Sequence, residues 1–267
     1  MRSWSVNMVD YLDRLATDAR ATVESGFYRI QPTRRPGRSR VGLREAIGRS
    51  HLTPIIAEIK RASPSAGDIR RELDTAEAAR ILMANGAVGI SVLTEPMRFK
   101  GSLEALEDVR AAVDLPVLMK DIVVSLEQIE AATRYGADAL LLIKAVFDRG
   151  YTEFSLEEAI MEAQGRGLEV LLEAHNINEF LASLETGTDL IGINNRDLGS
   201  MVVDLGTTEQ ILRYSGELSR TVISMSGIEN PEDVRYLKSC GADAFLIGSA
   251  IMRSHNMGET LRRMTRL

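Results

Sequence analysis

From Pro54 to the C-terminus, short apolar runs alternate with stretches of helical character. The runs are PIIAEIK (54–60), VGISVLT (88–94), PVLMK (116–120), ADALLLI (137–143), LEVLLEA (168–174), LIGIN (190–194), TVISMS (221–226) and DAFLIG (243–248). Helix-like segments such as DTAEAARILMANGA and NPEDVRYLKSCGA follow them. Three of these segments close on Gly-Ala, at 86–87, 136–137 and 241–242, a helix stop that leads into the next strand. Near-continuous apolar strands joined by helical crossovers specify a parallel sheet covered on both faces. Eight such units predict a single α/β domain, a (β/α)8 TIM barrel, which typically needs about 250 residues. The alternative is an open doubly wound sheet, and against it the first strand-to-helix turn lacks the G-x-G-x-x-G fingerprint of a dinucleotide fold.

Ahead of the barrel, Val9, Leu12, Ala16, Ala19 and Val23 recur at spacings of three and four, which predicts a helix stopped by Gly26. A shorter helix is predicted around Leu43–Ile47. Residues 1–50 therefore read as an N-terminal helical extension of a barrel spanning 51–267. Between the two helices lies TRRPGRSR, with Arg34, Arg35, Arg38 and Arg40 around Pro36 and Gly37. Without interleaved aromatics, it reads as a solvated connection rather than a nucleic-acid arm.

Composition narrows the classes. The 267 residues are 45% hydrophobic and 26% charged, enough for a sizeable core, and the net charge of -6 gives no reason to expect nucleic acid or a membrane surface as partner. No apolar run reaches transmembrane length, and Asp10 and Asp13 stand where a signal peptide would be apolar. The single cysteine, Cys240, excludes an intrachain disulfide framework and reads as a packing residue. A cytoplasmic protein, monomeric or weakly homo-oligomeric, is expected. The three histidines show no metal-ligand spacing, so no metal is expected.

The candidate chemistry collects at the strand ends, where barrels of this kind carry their sites. Strand 1 ends in Glu58 and Lys60, opposite charges two apart and so on one face. Strand 3 ends in Lys120 and Asp121, strand 5 in Glu173 and His175, strand 6 in Asn194, Asn195 and Arg196, and strand 7 in Ser224 and Ser226. Each has a plainer reading: a rim ion pair for Lys120 and Asp121, a buried salt bridge for Glu173, an orienting or capping role for His175. Five strands converging on one rim nevertheless indicate a site. Ser226 and Gly227 precede a helix starting at Pro231, and Gly248 and Ser249 follow strand 8. Small residues there let backbone N–H groups approach an anion, and a helix start adds partial positive charge. A phosphorylated small-molecule substrate follows, with Lys60 or Arg196 as counter-charge.

AEIKRASPS, SVLTE with FKGS, PVLMKD, GINNRDL, SGI and AFLIGSAIM, in this order over residues 54–253, together resemble the indole-3-glycerol phosphate synthase family. The resemblance implies conversion of 1-(2-carboxyphenylamino)-1-deoxyribulose 5-phosphate to indole-3-glycerol phosphate, with loss of carbon dioxide and water and with no metal or organic cofactor. It further implies Lys120 as the general acid of ring closure and Glu173 as the group exchanging a proton during dehydration. Lys60 would contact the phosphate, with service as a second acid also open to it, and Glu58 and Asn194 would hold the sugar hydroxyls and orient the lysines. Arg196, Ser226, Gly227, Gly248 and Ser249 would bind phosphate, and Ser63 would line the site. Three positions depart from the family pattern: Ile122 for a phenylalanine, Ala66 for a lysine, and Met225 for a substrate-contacting glutamate. They leave open a paralogue acting on a modified arylamino-ribulose phosphate and a catalytically weak binding or regulatory barrel.

Overall fold

The structure is a computed structural model that describes residues 10–34, 37, 39, 41–63, 67–70, 72–216 and 218–267. Val9, Arg35, Arg38, Arg40, Ala66 and the Ser63 side chain lie outside the described residues.

Eight parallel strands form the barrel: β1 (Ile55–Ile59), β2 (Gly89–Leu93), β3 (Val117–Lys120), β4 (Ala139–Ile143), β5 (Glu169–Ala174), β6 (Leu190–Asn194), β7 (Thr221–Met225) and β8 (Ala244–Ile247). The sheet closes through β1 against β8, with Ile56 opposite Leu246, and through β1 against β2, with Glu58 opposite Ser91. That closure excludes the open sheet. Every residue of β1 is buried because both its faces are covered. Ile56 joins the interior cluster with Leu118, Leu171, Leu190 and Ile223, while Ile55, Ala57 and Ile59 pack outward against the helices. Inward positions therefore alternate with outward ones, and Glu58 falls on the inward row.

The covering helices are α3 (Thr75–Ala84), α4 (Leu103–Ala112), α5 (Leu126–Arg134), α6 (Lys144–Asp148), α7 (Leu156–Gly165), α8 (Ile177–Leu184), α9 (Gly206–Ser215), α10 (Pro231–Ser239), α11 (Ser249–Arg253) and α12 (Met257–Thr265). Side-chain caps fix several starts: Ser125, Ser155 and Asn230 each form a reciprocal capping box. Gly86, Gly136 and Gly241, the expected stops, all have left-handed φ. Among the described residues, no helix is long and apolar enough to cross a membrane.

The N-terminal helices reach opposite ends of the barrel. In α1 (Tyr11–Glu24), Leu12, Leu15, Ala16 and Ala19 bury one face, and Tyr11 and Leu15 line the cavity at the C-terminal mouth. In α2 (Leu43–Gly48), Leu43 packs over Gly89 at the start of β2, so close that a Cβ on Gly89 would collide with it. The Leu43 and Arg44 amides donate to Glu169 at the start of β5, so a carboxylate answers the free N–H groups and positive end of that helix. The segment between the helices descends the outer wall, where Arg34 pairs with Asp108 at 3.3 Å and the Ser39 amide donates to Asp138.

Tyr28, on a short turn after α1, ties the extension to β3. Its hydroxyl donates to Asp121 Oδ2 at 2.9 Å, beside the Thr94 hydroxyl at 2.5 Å, while the Ile122 amide donates to Oδ1 at 2.7 Å. Burial pushes Asp121 up to about 6, and those three donors restrain the rise. The folded chain thus takes up a proton at Asp121 between its ordinary range and about 6, and this site's contribution to stability falls as pH rises through that window. Tyr28→Phe removes a donor to the charged form and lifts Asp121 further. We predict a loss of about 1–3 kcal/mol in urea unfolding, larger at pH 8 than at pH 5. A cost independent of pH would contradict this account of the anchor.

Candidate active site

A row of alternating charges crosses the C-terminal mouth. Lys60 Nζ lies 2.5 Å from Glu58 Oε1, and Lys120 Nζ stands 3.9 Å from both Glu58 Oε2 and Glu173 Oε2. Beyond Glu173, His175 Nε2 is 3.1 Å from Glu173 Oε1, and His175 Nδ1 is 3.2 Å from Glu179 Oε2. The Glu58 and Glu173 side chains are only 5% and 2% exposed, so neither could remain ionised without its cationic neighbours. Burial pushes Glu58 up, but the nearby charges of Lys60 and Lys120 outweigh it and hold the group below its usual range. Burial likewise opposes ionisation of Glu173, yet Lys120, His175 and Asn194 bring it down to about 2. His175 shows the converse: burial disfavours its charge, and the carboxylates of Glu173 and Glu179 raise it to about 9. Both Glu173 and His175 are therefore charged at neutral pH.

The hydrogen bonds assign different duties to the Glu173 oxygens. Asn194 Nδ2 donates to Oε1 at 2.8 Å, whereas Oε2 accepts no hydrogen bond from a described residue. Asn194 in turn accepts the Arg196 amide at 2.9 Å, which fixes the turn out of β6. Asn195 points away from the cavity: it bonds Ser224 and the Ser226 carbonyl, each at 3.1 Å, and accepts from Thr208. It builds the β6–β7 rim without lining the cavity.

At the other side of the mouth, Ser226 and Gly227 are consecutive left-handed residues with φ of 68° and 79°. Both residues line the cavity, and a turn of small residues there can present its N–H groups to an anion. Gly248 adjoins the charge row directly: a Cβ there would fall on Glu58 Oε1 and 3.0 Å from Lys60 Nζ. Ser249 opens α11 immediately after it. Arg196 is half-buried, donates to the Met201 carbonyl at 3.0 Å, and has its pKa lowered by burial.

One cavity of about 930 Å³, its open mouth included, is lined by Glu58, Lys60, Lys120, Glu173, Asn194, Arg196, Ser226, Gly227, Gly248 and Ser249 together. Ser63 belongs to the two-residue strand Ala62–Ser63 after β1, and its side chain lies outside the described residues. The plainer reading of Lys120 and Asp121 as a rim pair does not hold, because Asp121 turns outward to Tyr28 and Thr94. An apolar wall of the cavity includes Tyr11, Leu15, Phe99, Ile122, Ile143 and Leu198, which pack in one cluster, and Met201 also lines the cavity. Sequence reasoning missed most of it, since α1 and the loops after β2 and β6 contribute across long separations. Glu95 holds the β2 loop by accepting the amides of Met97, Arg98 and Phe99 at 2.7–2.9 Å, a cap hinted at only by an acidic residue before Pro96. Met225 is 1% exposed and lies over Gly192, where any Cβ would strike its terminal methyl. Among the described residues, no cluster of three or more His, Cys, Asp or Glu side chains is arranged to hold a metal ion.

Comparison with known proteins agrees with this geometry. The family model described as indole-3-glycerol phosphate synthase matches residues 12–264. The indole-3-glycerol phosphate synthase of Burkholderia multivorans is 38% identical over 264 residues, covering 96% of this chain and 99% of its own. That of Haloarcula marismortui is 42% identical over 225 residues, covering 83% of this chain and 81% of its own. Among solved structures, a thiamine phosphate pyrophosphorylase from Pyrococcus furiosus superposes with a TM-score of 0.60 at 17% identity, over 84% of this chain and 96% of that one, and shares the fold alone. The span of the family match and these identities place the chain in the indole-3-glycerol phosphate synthase family.

Proposed function

We propose that this protein closes the indole ring of 1-(2-carboxyphenylamino)-1-deoxyribulose 5-phosphate, releasing one carbon dioxide and one water. The observation that carries the reading is Lys120, held 3.9 Å from two buried carboxylates on the boundary between the polar and apolar walls. The substrate phosphate sits on the backbone of Ser226–Gly227 and Gly248–Ser249, with Lys60 and Arg196 as counter-charges, and the aryl ring lies on the apolar wall. Anchoring both ends brings the aryl carbon bearing the carboxylate against the ribulose carbonyl, which converts much of the barrier into binding already done. As the C–C bond forms, Lys120 gives its proton to the carbonyl oxygen, which becomes a hydroxyl. The C–carboxylate bond then breaks, its electron pair restores the aromatic ring, and carbon dioxide leaves.

Dehydration needs an acid for the departing hydroxyl and a base for the proton the ring gives up. Because Lys120 and His175 hold Glu173 ionised, it is the base, acting through Oε2, and Lys60 is the acid. Glu58 orients both lysines, and Asn194 holds Glu173 and a sugar hydroxyl. No cofactor enters this scheme. The expected setting is a cytoplasmic monomer or weak homo-oligomer without a nucleic-acid partner, in keeping with a net charge of -6.

Met225 favours a second reading. Where the family carries a carboxylate, this cavity has a buried methyl group over Gly192, which suits an arylamino-ribulose phosphate bearing an apolar substituent.

Three outcomes test these readings. Lys120→Met is expected to lower kcat at least 100-fold, the usual scale of general acid catalysis, with inorganic phosphate still bound. A variant keeping more than about a tenth of wild-type kcat would remove Lys120 from the acid role. Inorganic phosphate is expected to inhibit competitively, and Gly248→Val to abolish that inhibition and raise KM, with a smaller effect for Ser249→Ala. Absence of competition would refute the anion site. Met225→Glu is expected to raise kcat/KM on the standard substrate about tenfold or more, the value of one restored hydrogen bond to a charged group. A fall in activity would favour the modified substrate, and no change would reduce Met225 to packing.

A further inference from the structure

His175 does not line the cavity, yet it contacts a carboxylate that does, Glu173, whose Oε2 accepts no hydrogen bond from a described residue. It leaves β5 immediately after Ala174 and precedes Asn176, the N-cap of α8, whose side chain accepts the Glu179 amide. Glu179 reaches back from the first turn of α8. Its carboxylate accepts the His175 backbone N–H at 2.9 Å and the Asn176 side-chain Nδ2 at 2.6 Å, and its Oε2 lies 3.2 Å from the ring Nδ1. Backbone and ring are thus gripped by one carboxylate, so the imidazole cannot turn without losing its contact with Glu179. The other ring nitrogen, Nε2, is then carried to 3.1 Å from Glu173 Oε1, as an ion pair rather than a well-aligned hydrogen bond.

A capping histidine would need only the first of these contacts. The second places a buried cation against a buried carboxylate that lines the cavity. Glu173 is faced by Lys120 and Glu58 across the mouth, by Asn194 from β6 and by His175 from the end of β5. His175 itself is faced by Glu173, by Glu179 and, at longer range, by Asp197 from the loop after β6. With Asn194 and His175 both on Oε1, only Oε2 is left to meet Lys120 and the substrate.

We propose that His175, braced by Glu179, is a positioning residue that pins Oε1 of Glu173 and leaves Oε2 alone facing the substrate. The inference rests on the reading of Glu173 as the base of dehydration. Its charge matters as well as its shape: the imidazolium persists because two carboxylates flank it, and in that state it helps hold Glu173 ionised.

The test joins nuclear magnetic resonance titration of the histidine rings to steady-state kinetics on the full chain. The His175 ring is expected to stay protonated through pH 8 in the wild type, and its midpoint to drop by at least one pH unit in both Glu173→Gln and Glu179→Gln. His175→Gln is expected to lower kcat about tenfold or more with KM changed less than about twofold. Glu179→Gln is expected to show kcat falling with pH across the range where its imidazolium is lost, a range in which the wild type is flat. A wild-type midpoint near 6.5, or a folded His175→Gln enzyme with full kcat, overturns the proposal. If His175→Gln does not fold, a Glu179→Gln profile as flat as the wild type overturns it instead. Should the wild type lack turnover altogether, the ring-closing assignment falls, and the titrations alone decide whether His175 pins Glu173.

Discussion

Three cations and three carboxylates alternate from Lys60 to Glu179, and the mouth of the barrel is organised around that row. Ionised groups this deeply buried are costly unless each is paired, and removing one partner of such a pair typically costs about 3–5 kcal/mol. The row is possible because the barrel is closed. Its inner members come from β1, β3 and β5, alternate strands whose inward side chains meet in one layer across the axis. In an open sheet those strands would lie side by side, and the Lys120 ammonium could not stand between two carboxylates from either side. Fold and charge pairing are thus a single constraint, and Gly248 belongs to it, since any side chain there would enter the space that Glu58 and Lys60 occupy.

The cavity divides into two walls with different requirements. The polar wall must hold fixed charges at fixed distances, so it is built on strand ends and short turns, where the backbone is rigid. The apolar wall must cover a ring and keep water from it, so it draws on α1 and on two longer loops. Those elements need their own anchors: Asp121 receives Tyr28 from the extension, and Glu95 gathers the amides of the β2 loop. Both anchors are buried carboxylates that do not line the cavity. They give this chain a site whose chemistry is positioned by strands and whose dryness is supplied by segments far away in sequence.

Much of this was legible in the chain because it follows from local rules. The run IIAEIK breaks its own apolar pattern with two charges at period two, so Glu58 and Lys60 had to share a face, and they do. Glycines at helix ends and small residues after strands 7 and 8 likewise carry their conformational meaning without tertiary context. What could not be read depends on partners separated by about a hundred residues. Asp121 looked like a mate for Lys120, being adjacent, but adjacent residues leaving a strand point to opposite sides, and Tyr28 claims it instead. The plugging of the lower end by Leu43, and the service of Glu169 as its cap, are invisible for the same reason. Met225 could be recognised as a departure, but its position over Gly192 needed the register of β6 against β7.

On the proposed reading, this charge row closes an indole ring with the help of a phosphate site and an apolar wall. The most direct measurement is to mix the purified full-length chain with 1-(2-carboxyphenylamino)-1-deoxyribulose 5-phosphate and a metal chelator, then follow indole fluorescence and released carbon dioxide together. Both are expected to appear with sustained turnover, one carbon dioxide for each indole formed. A folded protein that binds inorganic phosphate yet yields neither product would contradict it.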